Sequence, residues 1–452
     1  MRETLVKSEE FKDSPLGKIP KDWNYLTIND CLRDGLIVDV QDGNHGEAHP
    51  KTDDFVSEGI PFVMAKDLVN GQIHIADCHK ITWHQYQSLR VGFARPGDVL
   101  LSHKGTIGLT AIVPDWLQHV MLTPQVTYYR VSEGKKLSGK FLFWFFQSPL
   151  FQQRLEVLSA QSTRSYIGIT LQKTLSILVP PFDEQKRIAE LLDTVDEAIA
   201  HTSSLIAKLK QMKAGLLHDL LTQGLDENGE LRNAIAHPEQ FKDSPLGRIP
   251  KDWKVSSVEC EFDITTGFTL GEHRRPRRNK RKYLRVANVQ REEIVLDDIA
   301  ELEAEDREFS TRLLEKDDLL IVEGHANPDE IGRCAIVPVE AVGLTFQNHL
   351  FRLRSRQLVP KFALAWLNSE WVRAYWRCLC GTSSGLNTIN RTILNAIPVP
   401  VPDKEEQRRI IAVINTQKTR ICTEEAYRDK LKLQKQGLMH DLLTGKVRIR
   451  NA

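Results

Sequence analysis

Residues 273–282 read HRRPRRNKRK, seven Lys/Arg and no acid. Lys and Arg in such density suit phosphate, because they displace condensed counterions and make affinity salt-dependent. Arg274, Arg275, Arg277 and Arg278 are also of the type that reaches guanine edges in a major groove. A solvated charge run is the alternative. The run follows the Gly-containing stretch 265–271 (TTGFTLG), which places it on a loop. The corresponding loop of the first half, 42–50 (DGNHGEAHP), sets Asn44 and His45 among glycines. Glycine lets backbone approach a ligand closely, and Asn pairs with adenine, although a plain turn explains either residue alone. A second loop pair follows strand-like runs: 102–108 (SHKGTIG) with His103, Lys104 and Thr106, and 323–332 (EGHANPDEIG) with Glu323, His325 and Asn327. A third lies at 161–166 (QSTRSY), with Ser162, Thr163 and Arg164, and at 381–387 (GTSSGLN), with Thr382, Ser383 and Asn387. Hydroxyls and Arg suit phosphate contacts there, and turn capping accounts for them equally well.

Catalytic constellations are missing from the pattern. There is no GxxxxGK[ST] phosphate loop and no GxGxxG dinucleotide loop. Pro180-Pro181-Phe182 echoes the tail of the Asn/Asp-Pro-Pro-aromatic motif of adenine methyltransferases, but Val179 stands where a polar residue would bond the target amine. Pro114-Asp115 with Glu133-Gly134-Lys135 has the outline of a metal nuclease, yet the aligned second copy has Pro338-Val339 and lacks the acid. The fourteen histidines show no metal-ligand spacing, and His218-Asp219 and His440-Asp441 suit helix ends. Seven dispersed cysteines fit a reducing compartment rather than a disulfide framework. Cys378 and Cys380 form the one close pair and are read as packing residues. These features point to binding rather than catalysis.

At 452 residues the chain should hold at least two domains. Its 41% hydrophobic and 27% charged content is ordinary for a globular protein, and a net charge of +1 confines any nucleic-acid face to a local patch. No apolar run approaches the ~20 residues of a membrane span, so a cytoplasmic protein is expected.

The positioning elements occur twice. Residues 11–23 (FKDSPLGKIPKDW) recur at 241–253 with only Lys18 replaced, by Arg248. Prolines and a glycine make this phrase extended with fixed turns, anchored by Leu16, Ile19 and Trp23. Short alternating runs then predict a strand-rich region to about residue 179. One amphipathic helix near 138–158 interrupts it, carrying Phe141, Trp144, Phe145, Phe151 and Leu155. The second half follows the same order, with AIVP at 335–338 answering AIVP at 111–114 and a helix at 361–376. Residues 184–223 and 406–445 align without a gap, with 17 of 40 identical, and both carry GL-x-HDLLT before a Gly stop. Ile188, Val195, Thr202, Leu209 and Leu216 recur every seven residues, with Leu191, Ala198, Leu205 and Met212 as companions, a coiled-coil seam. In the second copy Gln417 and Glu424 make that seam polar. Forty helical residues span about 60 Å, longer than one domain's core needs, so the two helices are expected to be spacers that pack on each other.

The chain resembles the specificity subunit of type I restriction–modification systems over essentially its whole length. The features that carry the resemblance are the twin SPLG-x-IP-x-DW phrases, the 42–45 loop, Gly97-Asp98-Val99-Leu100 with Gly105 and Gly108, Ser162-Thr163-Arg164, and VPPFDEQ at 179–185 entering the long helix. The resemblance implies an α/β (α+β) fold. Two tandem mixed α/β target-recognition domains alternate with two long helices packed as an antiparallel coiled coil, in a pseudo-two-fold internal repeat. It divides the chain into an N-terminal conserved segment (1–23), a first recognition domain (24–179), a central helix (180–225), a linker with the repeated segment (226–253), a second recognition domain (254–397) and a C-terminal helix (398–452).

The implied function is non-catalytic recognition of an asymmetric bipartite site on double-stranded DNA, each domain reading one half. Partners would be two methyltransferase subunits and two restriction/translocase subunits. S-adenosylmethionine, ATP and magnesium would sit on those partners, this chain binding none, and no membrane is involved. A recognition subunit of a type II system with fused restriction–methylation chains stays open as an alternative, as does a self-contained methyltransferase or nuclease.

Overall fold

The computed structural model describes residues 3–46, 49–133, 136–160, 166–380 and 387–451. They form two compact units, one of Met1–Ser203 with Glu425–Ala452, the other of Ser204–Glu424. Two helices, Phe182–Thr222 and Lys404–Leu443, each contribute one part to each unit.

The repeated phrase is a β-hairpin in both units. Strands Phe11–Ser14 and Gly17–Pro20 pair antiparallel, as do Phe241–Ser244 and Gly247–Pro250. The letters SPLG make the turn. The Ser14 hydroxyl donates to Gly17 O at 2.6 Å and accepts from Leu16 N at 3.2 Å, and Ser244 does the same at 2.7 and 3.1 Å. Gly17 and Gly247 take φ of 100° and 86°, a region that penalises a side chain. Hairpins with four-residue strands are marginal alone. Here Ile19 and Trp23, and Ile249 and Trp253, are fully buried. Each such side chain contributes about 1.5–3 kcal/mol or more, enough to tie the hairpin to the core.

Each unit then builds a matching pair of sheets, the second of which has an extra outer strand, Phe93–Ala94, in the first unit. In the first, Thr110–Ile112, Val99–Ser102, Val126–Val131 and Ile37–Asp42 form an antiparallel sheet in that order. A smaller sheet sets Val120–Leu122 parallel to Ile60–Val63, with His79–Ile81 antiparallel on the far side. The second unit repeats the order with Cys334–Ile336, Leu319–Val322, Leu350–Ser355 and Phe262–Thr266, and with Thr345–Phe346 parallel to Lys280–Leu284 beside Ala300–Glu303. A buried acid pins the same strand in both. Arg130 bonds Asp98 through Nε and Nη2 at 2.9 and 2.7 Å, and Arg354 bonds Asp318 at 2.7 and 2.9 Å.

The helix expected near 138–158 is two helices, Gly139–Gln147 and Pro149–Ala160. Pro149 has no N–H to continue the first helix, and the buried Ser148 hydroxyl instead accepts from Phe151 N at 3.2 Å. The 361–376 helix breaks likewise into Pro360–Leu367 and Glu370–Leu379, where Ser369 caps the second piece. Of the cysteine pair, Cys380 is buried and Cys378 is exposed, so only the former is a packing residue.

The long helices run antiparallel within each unit. Ile188 and Leu192 share a core with Met439 and Leu442 in the first, and Leu220 and Leu221 share one with Ile410 and Ile411 in the second. Ile188, Thr202 and Leu209 are buried as the seven-residue step requires. The companion position is shifted by one residue. Leu192 and Ile206 are buried, whereas Leu205 and Met212 are 37% and 55% exposed. Positions three and four residues on both flank a helical seam, and the pairs 191/192 and 205/206 are apolar at both, so periodicity alone cannot choose.

Candidate nucleic-acid interface

Antiparallel pairing brings three loop-bearing strand ends to one edge of each four-stranded sheet. In the first unit Ser102 faces Val126 and Asp42 is paired with Thr127; in the second Val322 faces Leu350 and Thr266 faces Phe351. The main-chain bonds at this edge repeat. His103 N donates to Gln125 O at 2.9 Å, and Glu323 N to His349 O at 3.0 Å. Ile167 N donates to His103 O at 2.9 Å, and Ile389 N to Glu323 O at 2.7 Å. Asn44 N donates to Leu122 O at 2.7 Å, and Phe268 N to Phe346 O at 2.8 Å. Glycine precedes both of the latter residues because nothing larger fits: a Cβ on Gly43 would lie 1.9 Å from Thr123 O, and one on Gly267 would lie 2.1 Å from Phe346 O. One backbone frame thus offers matched side-chain positions, 44 with 268, 103 with 323, and 125 with 349.

The side chains on that frame differ. In the first unit His103 is buried, its Nδ1 3.1 Å from Ile167 O. Burial holds its imidazole below the ordinary histidine range, against the opposing pull of Asp42. Its Nε2 lies 3.6 Å from Asp42 Oδ1 and, like Nδ2 of buried Asn44, has no hydrogen-bond partner among the described residues. Lys104 and Thr106 are exposed on the loop beyond, where Lys104 bridges to Tyr166. His45 is exposed, with Nδ1 3.1 Å from Gly43 O. Asn44, His45, His103 and Lys104 are therefore brought to one edge.

In the second unit the basic run is partly neutralised from within. Arg274 makes a bidentate pair with Glu308 at 2.8 and 2.5 Å and lies 4.9 Å from the Phe268 ring. Arg275 sits 3.5 Å from Glu272, and Arg281 pairs with Asp306. The Glu303 carboxylate accepts from Asn279 N and Arg277 N at 2.8 and 2.6 Å, which holds it below the usual carboxylate range. The exposed side chains of Arg277, Arg278 and Lys282 make no ion pair among the described residues. His325 pairs its backbone with Asn387, and Asn327 spends its side-chain oxygen on Asp329 N at 3.0 Å. Ser162, Thr163, Arg164, Thr382 and Ser383 lie outside the described residues, as does the side chain of Asn387.

Sequence reasoning missed Gln125 and His349. Each occupies the last position before a matched strand, Val126–Val131 or Leu350–Ser355, and strand alignment alone would have found them. It also missed a polar latch that fixes each hairpin to a helix start. Trp23 Nε1 donates to Glu184 at 3.2 Å, and Arg448 grips both Glu184 and Asp22 at 2.5–3.0 Å. Trp253 Nε1 donates to Glu406 at 3.0 Å, and Arg232 bonds Glu406 and Asp252. The following glutamine ties the sheet domain to the same helix. Gln185 accepts from Ser138 N and Gln407 from Val359 N, both at 2.8 Å. Buried carboxylates are tolerated only with partners of this kind. Among the described residues no cluster of His, Cys, Asp and Glu is arranged to hold a metal ion, and no helix is long and apolar enough to cross a membrane.

Residues 20–211 match the family model described as the type I restriction modification DNA specificity domain. The MjaVIII type I restriction enzyme specificity subunit of Methanocaldococcus jannaschii is 22% identical over 462 residues, covering 99% of this chain and 98% of that one. The EcoKI specificity subunit of Escherichia coli is 24% identical over 409 residues, covering 87% and 82%. Among solved structures, one described as the structural basis underlying complex assembly and conformational transition of the type I R-M system aligns with a TM-score of 0.60 at 18% identity, over 95% of this chain and 99% of that one. The HsdS subunit of Thermoanaerobacter tengcongensis aligns at 0.51 and 17% identity, over 95% and 98%. These structures share the fold, and the MjaVIII alignment runs over nearly the whole of both chains. Residues 20–211 thus match the type I restriction modification DNA specificity domain, and the chain as a whole is similar to type I restriction enzyme specificity subunits.

Proposed function

We propose that this chain is the non-catalytic subunit that reads an asymmetric, bipartite site on double-stranded DNA, one half per unit, and positions methyltransferase and restriction/translocase subunits on it. One observation carries the reading. The same backbone frame appears at both sheet edges but bears different side chains at matched positions, His103 and Gln125 against Glu323 and His349. Repetition of backbone with replacement of side chains is what two related readers of unlike sequences require, since base edges differ in donor and acceptor pattern. The long helices would set the gap between the half-sites. S-adenosylmethionine, ATP and magnesium belong to the partner subunits in this reading.

Selection from a random duplex library, with the full chain and its methyltransferase partner, tests it. Two unlike half-sites at a fixed spacing should be enriched, and Lys104→Ala with Thr106→Ala should alter preference or affinity at only one of them. Enrichment of a single uninterrupted site, or methyl transfer by the chain without partners, would sink the proposal.

A further inference from the structure

We infer that Glu323, held by His349, is a specificity-determining residue of the second unit that accepts a hydrogen bond from an exocyclic amino group of a base. The inference rests on the DNA-reading function proposed above and narrows it to one chemical contact. Glu323 follows the strand Leu319–Val322 directly. Its main chain is fixed on both sides, the N–H donating to His349 O at 3.0 Å and the carbonyl accepting from Ile389 N at 2.7 Å. The side chain is fixed as well, Oε2 lying 2.7 Å from His349 Nδ1. Oε1 has no partner among the described residues, and the side chain keeps 24% of its surface open.

A carboxylate with one oxygen tethered and the other open is an oriented acceptor and nothing else. It cannot serve phosphate, which it repels. In the major groove the complementary groups are the amino nitrogens N4 of cytosine and N6 of adenine, whereas guanine O6 and thymine O4 present acceptors in their place. The frame strengthens the assignment. The matched first-unit residue is His103, a buried ring whose unpaired Nε2 faces Asp42, so the same backbone position carries an acceptor in one unit and an imidazole in the other. An ordinary surface ion pair between Glu323 and His349 would leave base preference untouched, which separates the two accounts.

The test is library selection and sequencing with the full chain and its methyltransferase partner, for the wild type, Glu323→Gln and His349→Ala. The Gln variant keeps shape and adds a donor. One position of one half-site, an adenine or a cytosine in the wild type, should lose about tenfold of its preference over guanine and thymine, the scale of one good base contact. The other half should be unchanged, and His349→Ala should relax the same position by a smaller factor. Duplexes with purine in place of that adenine, or 2-pyrimidinone in place of that cytosine, identify the donor: the wild type should lose affinity to the analogue while Glu323→Gln is less affected. A wild-type motif that both folded variants retain overturns the inference alone. A wild type that enriches no motif overturns the DNA-reading function and the inference with it.

Discussion

In the first unit the strand end carries His103 beside Asp42, while in the second it carries Glu323 beside His349. At the helix starts the opposite holds. Trp23, Glu184 and Asp22 with Arg448 are answered residue for residue by Trp253, Glu406 and Asp252 with Arg232. The contrast separates two kinds of constraint. A buried carboxylate needs a full set of partners and admits almost no substitute. A frame made of main-chain bonds accepts whatever side chain it is given, so the edge can change its chemistry without changing its shape.

Breaking the latch should give the largest effect. Glu184→Ala and Glu406→Ala each strip a mostly buried arginine of its buried acid partner, leaving it only Asp22 or Asp252, and leave an indole N–H unpaired, so each should cost about 3 kcal/mol. Denaturant unfolding measures this; a loss below about 1 kcal/mol in either variant would show that the two latches are not equivalent. The basic loop gives a smaller, functional effect. Arg277→Ala with Arg278→Ala should reduce the slope of log affinity against log salt by about 2, and Lys104→Ala in the first unit by about 1. Arg274→Ala, which removes the pair with Glu308, should lower thermal stability and leave the slope nearly unchanged. An Arg274 variant with the larger slope change would reverse that division of labour.

Much of this architecture is legible in the letters. SPLG names its own turn, and the step Ile188, Val195, Thr202, Leu209 names the seam, because both are local rules of sterics and periodicity. Pro149 was visible too, and its consequence for the preceding helix follows from a missing N–H. The latch is a different matter. Arg232 and Arg448 stand at different distances from the helix-stop glycines Gly224 and Gly445, so no register of the repeat aligns them. Their partners also lie 174 and 264 residues away. The neutralisation of Arg274 and Arg281 by Glu308 and Asp306 was hidden for the same reason, since a charge run shows its own sign but not what folds against it.

The divided make-up of the first unit has a consequence for how the chain is born. Ser204–Glu424 is one uninterrupted stretch and can close as soon as it leaves the ribosome, whereas Trp23 and Glu184 must wait for Arg448. At typical elongation rates that wait is about 10–50 s, long beside the folding time of a domain. Arrested nascent chains ending before residue 425 should therefore show a protease-resistant second unit and a cleavable first one, and equal resistance of both would refute this order. Arg448, made long after Trp23 and Glu184, acts as a clasp, so the earlier-made unit is the one exposed to chaperones and proteases during synthesis.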